Sequence, residues 1–192
     1  MAKKYGIAAA VAAVLVVISA VLYLRWGGPA AGPPITGWMQ NFIPAPAAGP
    51  APRFPFFAPG DKRLTLADFR GRVVLINFWA TWCAPCVREM PSLRRLHTRL
   101  AGPDFTVLAL SQDREGWSII LPFVRRLKLG SLPIVLDRGG DFARGINVYG
   151  LPTSVLFDRS GNALGRLVGV AEWDSAEALA LLTYYIGAGR NK

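Results

Sequence analysis

Cysteine and histidine are scarce in this chain, which has two Cys and one His among 192 residues. A secreted disulfide framework uses several cysteines spread along the sequence, so this chain does not carry one. A structural zinc site needs four ligands, often from two Cys pairs, and Cys83, Cys86 and His97 fall short of that set. His97 reads instead as a helix-surface or packing residue, and no metal or organic cofactor is expected. Acidic residues are also in short supply, with 12 Asp and Glu against 22 Lys and Arg, a net charge of +10. No nucleic-acid motif and no separate basic tail accompany the excess. Pairs such as Arg94–Arg95 and Arg125–Arg126 read as solvated surface rather than a contact for a partner with an acidic face or for anionic lipid.

Charge is missing altogether from Tyr5 to Leu24, an apolar run of 20 residues. At ~1.5 Å per helical residue the run spans roughly the thickness of a bilayer core. A cleaved signal peptide has a shorter apolar core and a small-residue cleavage site. Here the run is long and is followed by Arg25 and Trp26, so an uncleaved anchor over residues 1–25 is expected. Lys3 and Lys4 place the N-terminus inside and the rest of the chain outside the cytoplasm, in a periplasm or its equivalent. Without Lys3, Lys4 and Arg25 the exported part keeps 19 basic and 12 acidic residues, a net +7.

Between Trp26 and Pro59 the sequence holds nine prolines with many Ala and Gly. Proline lacks a backbone donor and pushes its predecessor to an extended form. Residues 26–53 are therefore expected to be a semi-rigid linker, with a folded domain over 54–190. Within it, Arg63–Phe69 reads as a lead-in. Val73–Trp79 and Phe105–Leu110 read as buried strands, and Ile134–Leu136 as a short one. Thr153–Phe157 and Ala163–Val170 read as a hairpin around the turn Asp158–Gly161. Helices are expected over Cys83–Leu100, kinked at Pro91, and over Gly116–Leu129, Asp141–Ile146 and Glu172–Ile186. Alternating strands and helices that end in a hairpin and a helix imply an α/β fold with a mixed central sheet flanked by helices.

The two cysteines stand three apart in Trp82-Cys83-Ala84-Pro85-Cys86, where a buried strand gives way to a helix. A sulfur there meets unpaired backbone N–H groups and the positive end of the helix dipole, both favouring thiolate. Thiols in Cys-X-X-Cys sites titrate at roughly 3.5–7.5 instead of ~8.5. The thiolate is the nucleophile of disulfide exchange. Cys83 is expected to attack a substrate disulfide, and Cys86, one helical turn on, to resolve the mixed disulfide. Pro85 stiffens the turn between them.

The stretch LADFRGRVVLINFWATWCAPCVREMPSL resembles the TlpA/ResA/DsbE-like branch of the thioredoxin superfamily. Gly150-Leu151-Pro152-Thr153 ahead of a strand is a second landmark, and Gly165 and Gly169 extend the match over about 61–186. The resemblance implies a thioredoxin-like fold with a TlpA-type insertion, Gly116–Leu136, between the second strand and a cis-proline. It implies that Pro152 is that cis-proline, that Leu151 pairs with an extended substrate, and that Trp82 flanks the exposed sulfur. It also implies a tuning role for Glu89, on the first helix after the motif. Asn77 departs from the buried aspartate that many thioredoxins carry in the preceding strand. The implied activity is a membrane-anchored thiol:disulfide oxidoreductase, reducing exported proteins in cytochrome c maturation or oxidase copper-site assembly. Its partners would be protein thiols and disulfides and a membrane electron donor of DsbD/CcdA type. Two other classes fit less well. A thiol peroxidase expects a proline and a threonine before its cysteine, where this chain has Ala80 and Ile76. A copper-carrying assembly factor expects CxxxC and a later histidine.

Overall fold

A computed structural model describes residues 14–19, 32–45 and 53–188. Residues 14–19 are helical, and no helix among the described residues is long and apolar enough to cross a membrane. Most of the expected anchor, Tyr5–Leu24, lies outside the described residues. From Pro34 onward the chain forms its own compact unit.

That unit is built on eight strands: β1 (Phe42–Pro44), β2 (Phe56–Ala58), β3 (Lys62–Leu64), β4 (Val73–Trp79), β5 (Phe105–Ser111), β6 (Ile134–Leu136), β7 (Thr153–Phe157) and β8 (Ala163–Val168). They form one sheet in the order β1-β8-β7-β4-β5-β6-β2-β3. β4–β5 and β5–β6 are parallel and the other pairs antiparallel, so the sheet is mixed. Four helices accompany it: α1 (Ala84–Leu100), α2 (Trp117–Arg126), α3 (Asp141–Gly145) and α4 (Ala176–Ala188).

β4 lies between β5 and β7, and all seven of its residues are buried. This explains its unbroken apolar sequence, since both faces of a central strand are covered. Val73, Leu75 and Trp79 pack on the side of α1, while Val74, Ile76 and Phe78 face the other cluster with Phe142 and Phe157. Strand alternation therefore puts Asn77 on the α1 face. α1 is one continuous helix through Pro91. Its buried stripe is Cys86, Glu89, Met90, Ser92, Leu93 and Leu96, at the spacing of one helix face.

Three departures from the sequence reading have physical causes. Part of the expected linker belongs to the folded unit: β1 pairs with β8, and Met39 and Phe42 are buried in the core. Proline tolerates this site because β1 is an edge strand, with Pro44 at its end. β2 and β3 form a second small hairpin ahead of β4, turned by Pro59, Gly60 and Asp61 with Gly60 at φ 77°. Finally, β8 and α4 are shorter than expected at their facing ends. The backbone N–H groups of Ala171 and Trp173 go to Glu89 Oε2 and Ser92 Oγ on α1, so neither ladder nor helix claims them. α4 starts only after Ser175, whose hydroxyl accepts from Ala178 N at 3.2 Å.

Candidate active site

Parallel pairing of β4 with β5 and antiparallel pairing with β7 fixes where the cysteines emerge. Phe78 stands opposite Thr153. The chain leaving β4 toward Cys83 and the chain entering β7 from Pro152 thus meet at one end of the sheet. The connecting turn is held by Asp113, just past β5. Its carboxylate accepts from Thr81 N at 3.0 Å, from Thr81 Oγ1 at 2.7 Å and from Ser111 Oγ at 2.7 Å. Gln112 N donates to Trp79 O at 2.8 Å beside it. Asp113 is buried and was not singled out from sequence, because the turn it holds, at Thr81, lies 32 positions away.

Cys83 is the N-cap of α1, with Ala84 and Pro85 as its first helical residues. Proline fits here because its missing N–H would have no intrahelical partner anyway. Cys83 and Cys86 form a disulfide with their Cα atoms 5.3 Å apart. Cys86 N donates to Cys83 Sγ at 3.3 Å, one of the helix-start groups that stabilises negative charge on that sulfur. Cys86 is fully buried and Cys83 nearly so, whereas Trp82 is 69% exposed.

The Leu151–Pro152 peptide bond is cis. Thr153 Oγ1 donates to Gly150 O at 2.8 Å, and Gly169 N donates to Pro152 O at 2.9 Å, bracing the loop from both sides. Leu151 and Trp82 line one cavity of about 280 Å³, together with Tyr149, Arg114 and Arg144.

Glu89 lies one turn past Cys86, in a position where the stripe calls for an apolar residue. Its Oε1 accepts from Asn77 Nδ2 at 2.7 Å and its Oε2 from Ala171 N at 3.1 Å. Asn77 Nδ2 also donates to Ser154 Oγ at 3.0 Å, its cross-strand partner on β7. Burial pushes the Glu89 carboxyl up from 4.5 to about 7, against the opposing pull of the Ala171 and Asn77 hydrogen bonds. The Trp173 indole also acts to lower it, although Nε1 lacks a partner of full hydrogen-bond geometry. A carboxyl poised near neutrality can both take and return a proton. The departure noted at Asn77 is thus half of a pair: the amide holds a carboxylate contributed by the helix instead of supplying one from the strand.

His97, near the other end of α1, is half-buried, and burial moves it below its ordinary value. Among the described residues no group of three or more His, Cys, Asp or Glu side chains could hold a metal ion.

Comparison with known proteins decides the lineage. Residues 46–182 match the Redoxin family model, which is most of the chain. The chain belongs to the Redoxin family. Within it, the chain is 34% identical over 119 residues to the thiol-disulfide oxidoreductase ResA of Bacillus thuringiensis subsp. konkukian, covering 62% of this chain and 68% of that protein. It is 35% identical over 112 residues to ResA of Geobacillus kaustophilus, covering 58% of this chain and 63% of that one. A crystal structure described as thiol:disulfide interchange protein DsbE from Chlorobium tepidum superposes with a TM-score of 0.66 at 27% identity, over 74% of this chain and 99% of that one. StoA from Bacillus subtilis shares the fold at a TM-score of 0.58 and 22% identity, over 70% of this chain and 99% of that one. This Redoxin-family chain is a TlpA/ResA/DsbE-like domain of thioredoxin-like fold, and its activity is thiol–disulfide exchange with protein thiols and disulfides.

Proposed function

We propose that the protein is a membrane-tethered reductase of disulfides in exported proteins, working outside the cytoplasm. The observation that carries this reading is the Cys83–Cys86 disulfide at a helix start on a ResA/DsbE-type fold that also holds a cis-proline at 152. In the reduced state the Cys83 thiolate attacks one sulfur of a substrate disulfide. That S–S bond breaks, a mixed disulfide forms, and the departing substrate sulfur leaves as a thiolate and takes a proton. Cys86 gives up its proton and attacks Cys83 Sγ, releasing the second substrate sulfur. The substrate gains two electrons and the enzyme ends as the disulfide seen here.

Glu89 is assigned the role of proton acceptor for Cys86 in the resolving step, because it lies one turn away and titrates near neutrality. Leu151 and Pro152 present the backbone against which an extended substrate lies, and Trp82 covers the sulfur from the solvent side. A membrane donor of DsbD/CcdA type would return the dithiol state. The resemblance to the TlpA/ResA/DsbE-like branch supports substrates in cytochrome c maturation or oxidase copper-site assembly. The apolar run Tyr5–Leu24 supports an anchor with the N-terminus inside and the catalytic domain in the periplasm. Tethering would raise the effective concentration at membrane-bound assembly complexes.

A Cys86→Ala chain tests the reading, since it cannot resolve and should hold its substrates as mixed disulfides through Cys83. Apocytochrome or copper-site cysteines among the trapped proteins would support it. The reduction potential of the pair tests direction, as ~30 mV shifts the equilibrium tenfold. A potential as high as that of dedicated oxidants, with the pair mostly oxidised in cells, would reject the reductase role.

A further inference from the structure

Besides the cysteines, the site end of the sheet carries an apolar surface that the exchange chemistry does not use. It lies on the side of Pro152 formed by β8 and the segment before β1. Gly169 N is bonded to Pro152 O, and Ala171 N to Glu89 Oε2. The intervening Val170 and the preceding Val168 are thus fastened to the site at both ends, yet they are 37% and 57% exposed. Trp38, half exposed, borders one depression of about 390 Å³ with Val170, Gln40, Asn41 and Glu177. Trp38 is held there because its neighbour Met39 is fully buried and β1 is paired to β8 three residues later. The segment that supplies Trp38 precedes residues 46–182, the span of the family match, whereas Val170 lies within it.

The exposed indole and Val170 line this depression together, and apolar groups left open beside a site already in use mark interaction sites. Here the adjoining site is the exchange site itself. Any protein whose disulfide reaches Cys83 must lay its flanking residues across this end of the sheet. We propose that Trp38 and Val170 form a docking subsite for an apolar side chain of the disulfide-bearing polypeptide that reacts at Cys83. The inference rests on the exchange reading and deepens it. The preferred substrate is a polypeptide with a large apolar residue flanking its cystine, not a small disulfide. Trp38 is a specificity residue and takes no part in bond making.

The test uses the full-length reduced chain and three disulfides. Two are synthetic cystine peptides, identical except for Phe or Ser at the flanking positions, and the third is oxidised glutathione. The wild type should prefer the Phe peptide to the Ser peptide. Trp38→Ala should lower kcat/KM for the Phe peptide about tenfold relative to oxidised glutathione, the loss expected of an aromatic anchor, mainly through KM. Trp38→Phe should restore most of it. Equal wild-type rates with both peptides, or an unchanged peptide-to-glutathione ratio in Trp38→Ala, would overturn the proposal. So would a concentration-dependent dimer that Trp38→Ala abolishes, because another copy would then be the occupant. A wild type that exchanges with none of the three disulfides would instead defeat the exchange reading.

Discussion

At the scale of single residues, Glu89 links stability to chemistry. Its carboxyl titrates at 4.5 when free and near 7 in the fold, because burial disfavours its charge. Below pH 4.5 it is protonated in both folded and unfolded chains and shifts nothing. Between 4.5 and about 7 only the folded chain keeps the proton, so folding stability falls as pH rises. Above about 7 both forms are ionised and the whole penalty stands, on the order of 3 kcal/mol for a shift of this size. Glu89→Gln removes the titration but keeps the shape. Thermal melts of the two oxidised proteins from pH 4 to 8 should show the wild type losing stability relative to the variant across that window. A constant offset between the two curves would contradict this. In the reduced state the same variant should slow resolution of the mixed disulfide, read by stopped-flow Trp fluorescence. Asp113 acts differently, as a positioning residue for the turn that carries Trp82 and Cys83. Asp113→Ala leaves Thr81 N–H and its hydroxyl without their acceptor. It should lower stability by about 1–3 kcal/mol in urea unfolding and lower kcat/KM along with it, and Asp113→Asn should recover part of both.

At the scale of elements, β1 is the informative strand. It closes the β8 edge of the sheet, and the Phe42 ring lies across Gly165 on β8 and 6.0 Å from Tyr185 on α4. A Cβ at Gly165 would run into the Phe42 ring and stand 2.7 Å from Ile43 O. Gly165→Ala should therefore cost about 1–3 kcal/mol by overpacking, and Phe42→Ala about 3 kcal/mol or more by leaving a cavity. Combined, the two changes should cost less than their sum, because removing the ring relieves its share of the clash with the added methyl and leaves only the contact with Ile43 O. Urea titrations of both single variants and the pair would show additivity instead if β1 did not pack there.

At the scale of the whole molecule, the boundary of the catalytic unit can be tested directly. A chain beginning at Pro34 retains Met39 and Phe42, both buried, whereas one beginning at Phe54 loses them. The longer chain should melt like the full-length protein. The shorter should lose roughly 3–6 kcal/mol, the sum for two large apolar side chains. Charge also acts at this scale. With 22 basic against 12 acidic residues, the protein should react faster with an acidic cystine peptide than with a basic one of equal potential. The difference should vanish near 1 M salt, where screening reduces the range of interaction to about 3 Å.

Most of the central sheet and the site was legible in the sequence, because the residues concerned report on local physics. Val73–Trp79 is apolar without a break, which marks a strand covered on both faces, and its observed bounds are the expected ones. Cys83 and Cys86, between that strand and a helix, already carried the geometry of one helical turn, and the disulfide joins them. The cis peptide at Pro152 was implied by Gly-Leu-Pro-Thr and is present. β1 was not legible, since a strand of three residues among prolines, Phe42–Pro44, has no periodicity to read. Its strand character comes from β8, more than a hundred positions later, and from burial of Phe42 against α4.

The sequence by itself determined that two cysteines at a helix start would exchange disulfides, because the helix supplies the N–H groups and the spacing supplies the reach. Tertiary structure alone decided what surrounds them. It set a carboxyl on α1 between an amide from β4 and a backbone N–H after β8 and buried it there, and the burial, against the pull of those two hydrogen bonds, raised it to about 7. It brought Asp113 under the turn before Cys83 and carried Trp38 beside Val170. These are contacts between residues tens to more than a hundred positions apart. Their energies exist only once the sheet order and register are in place.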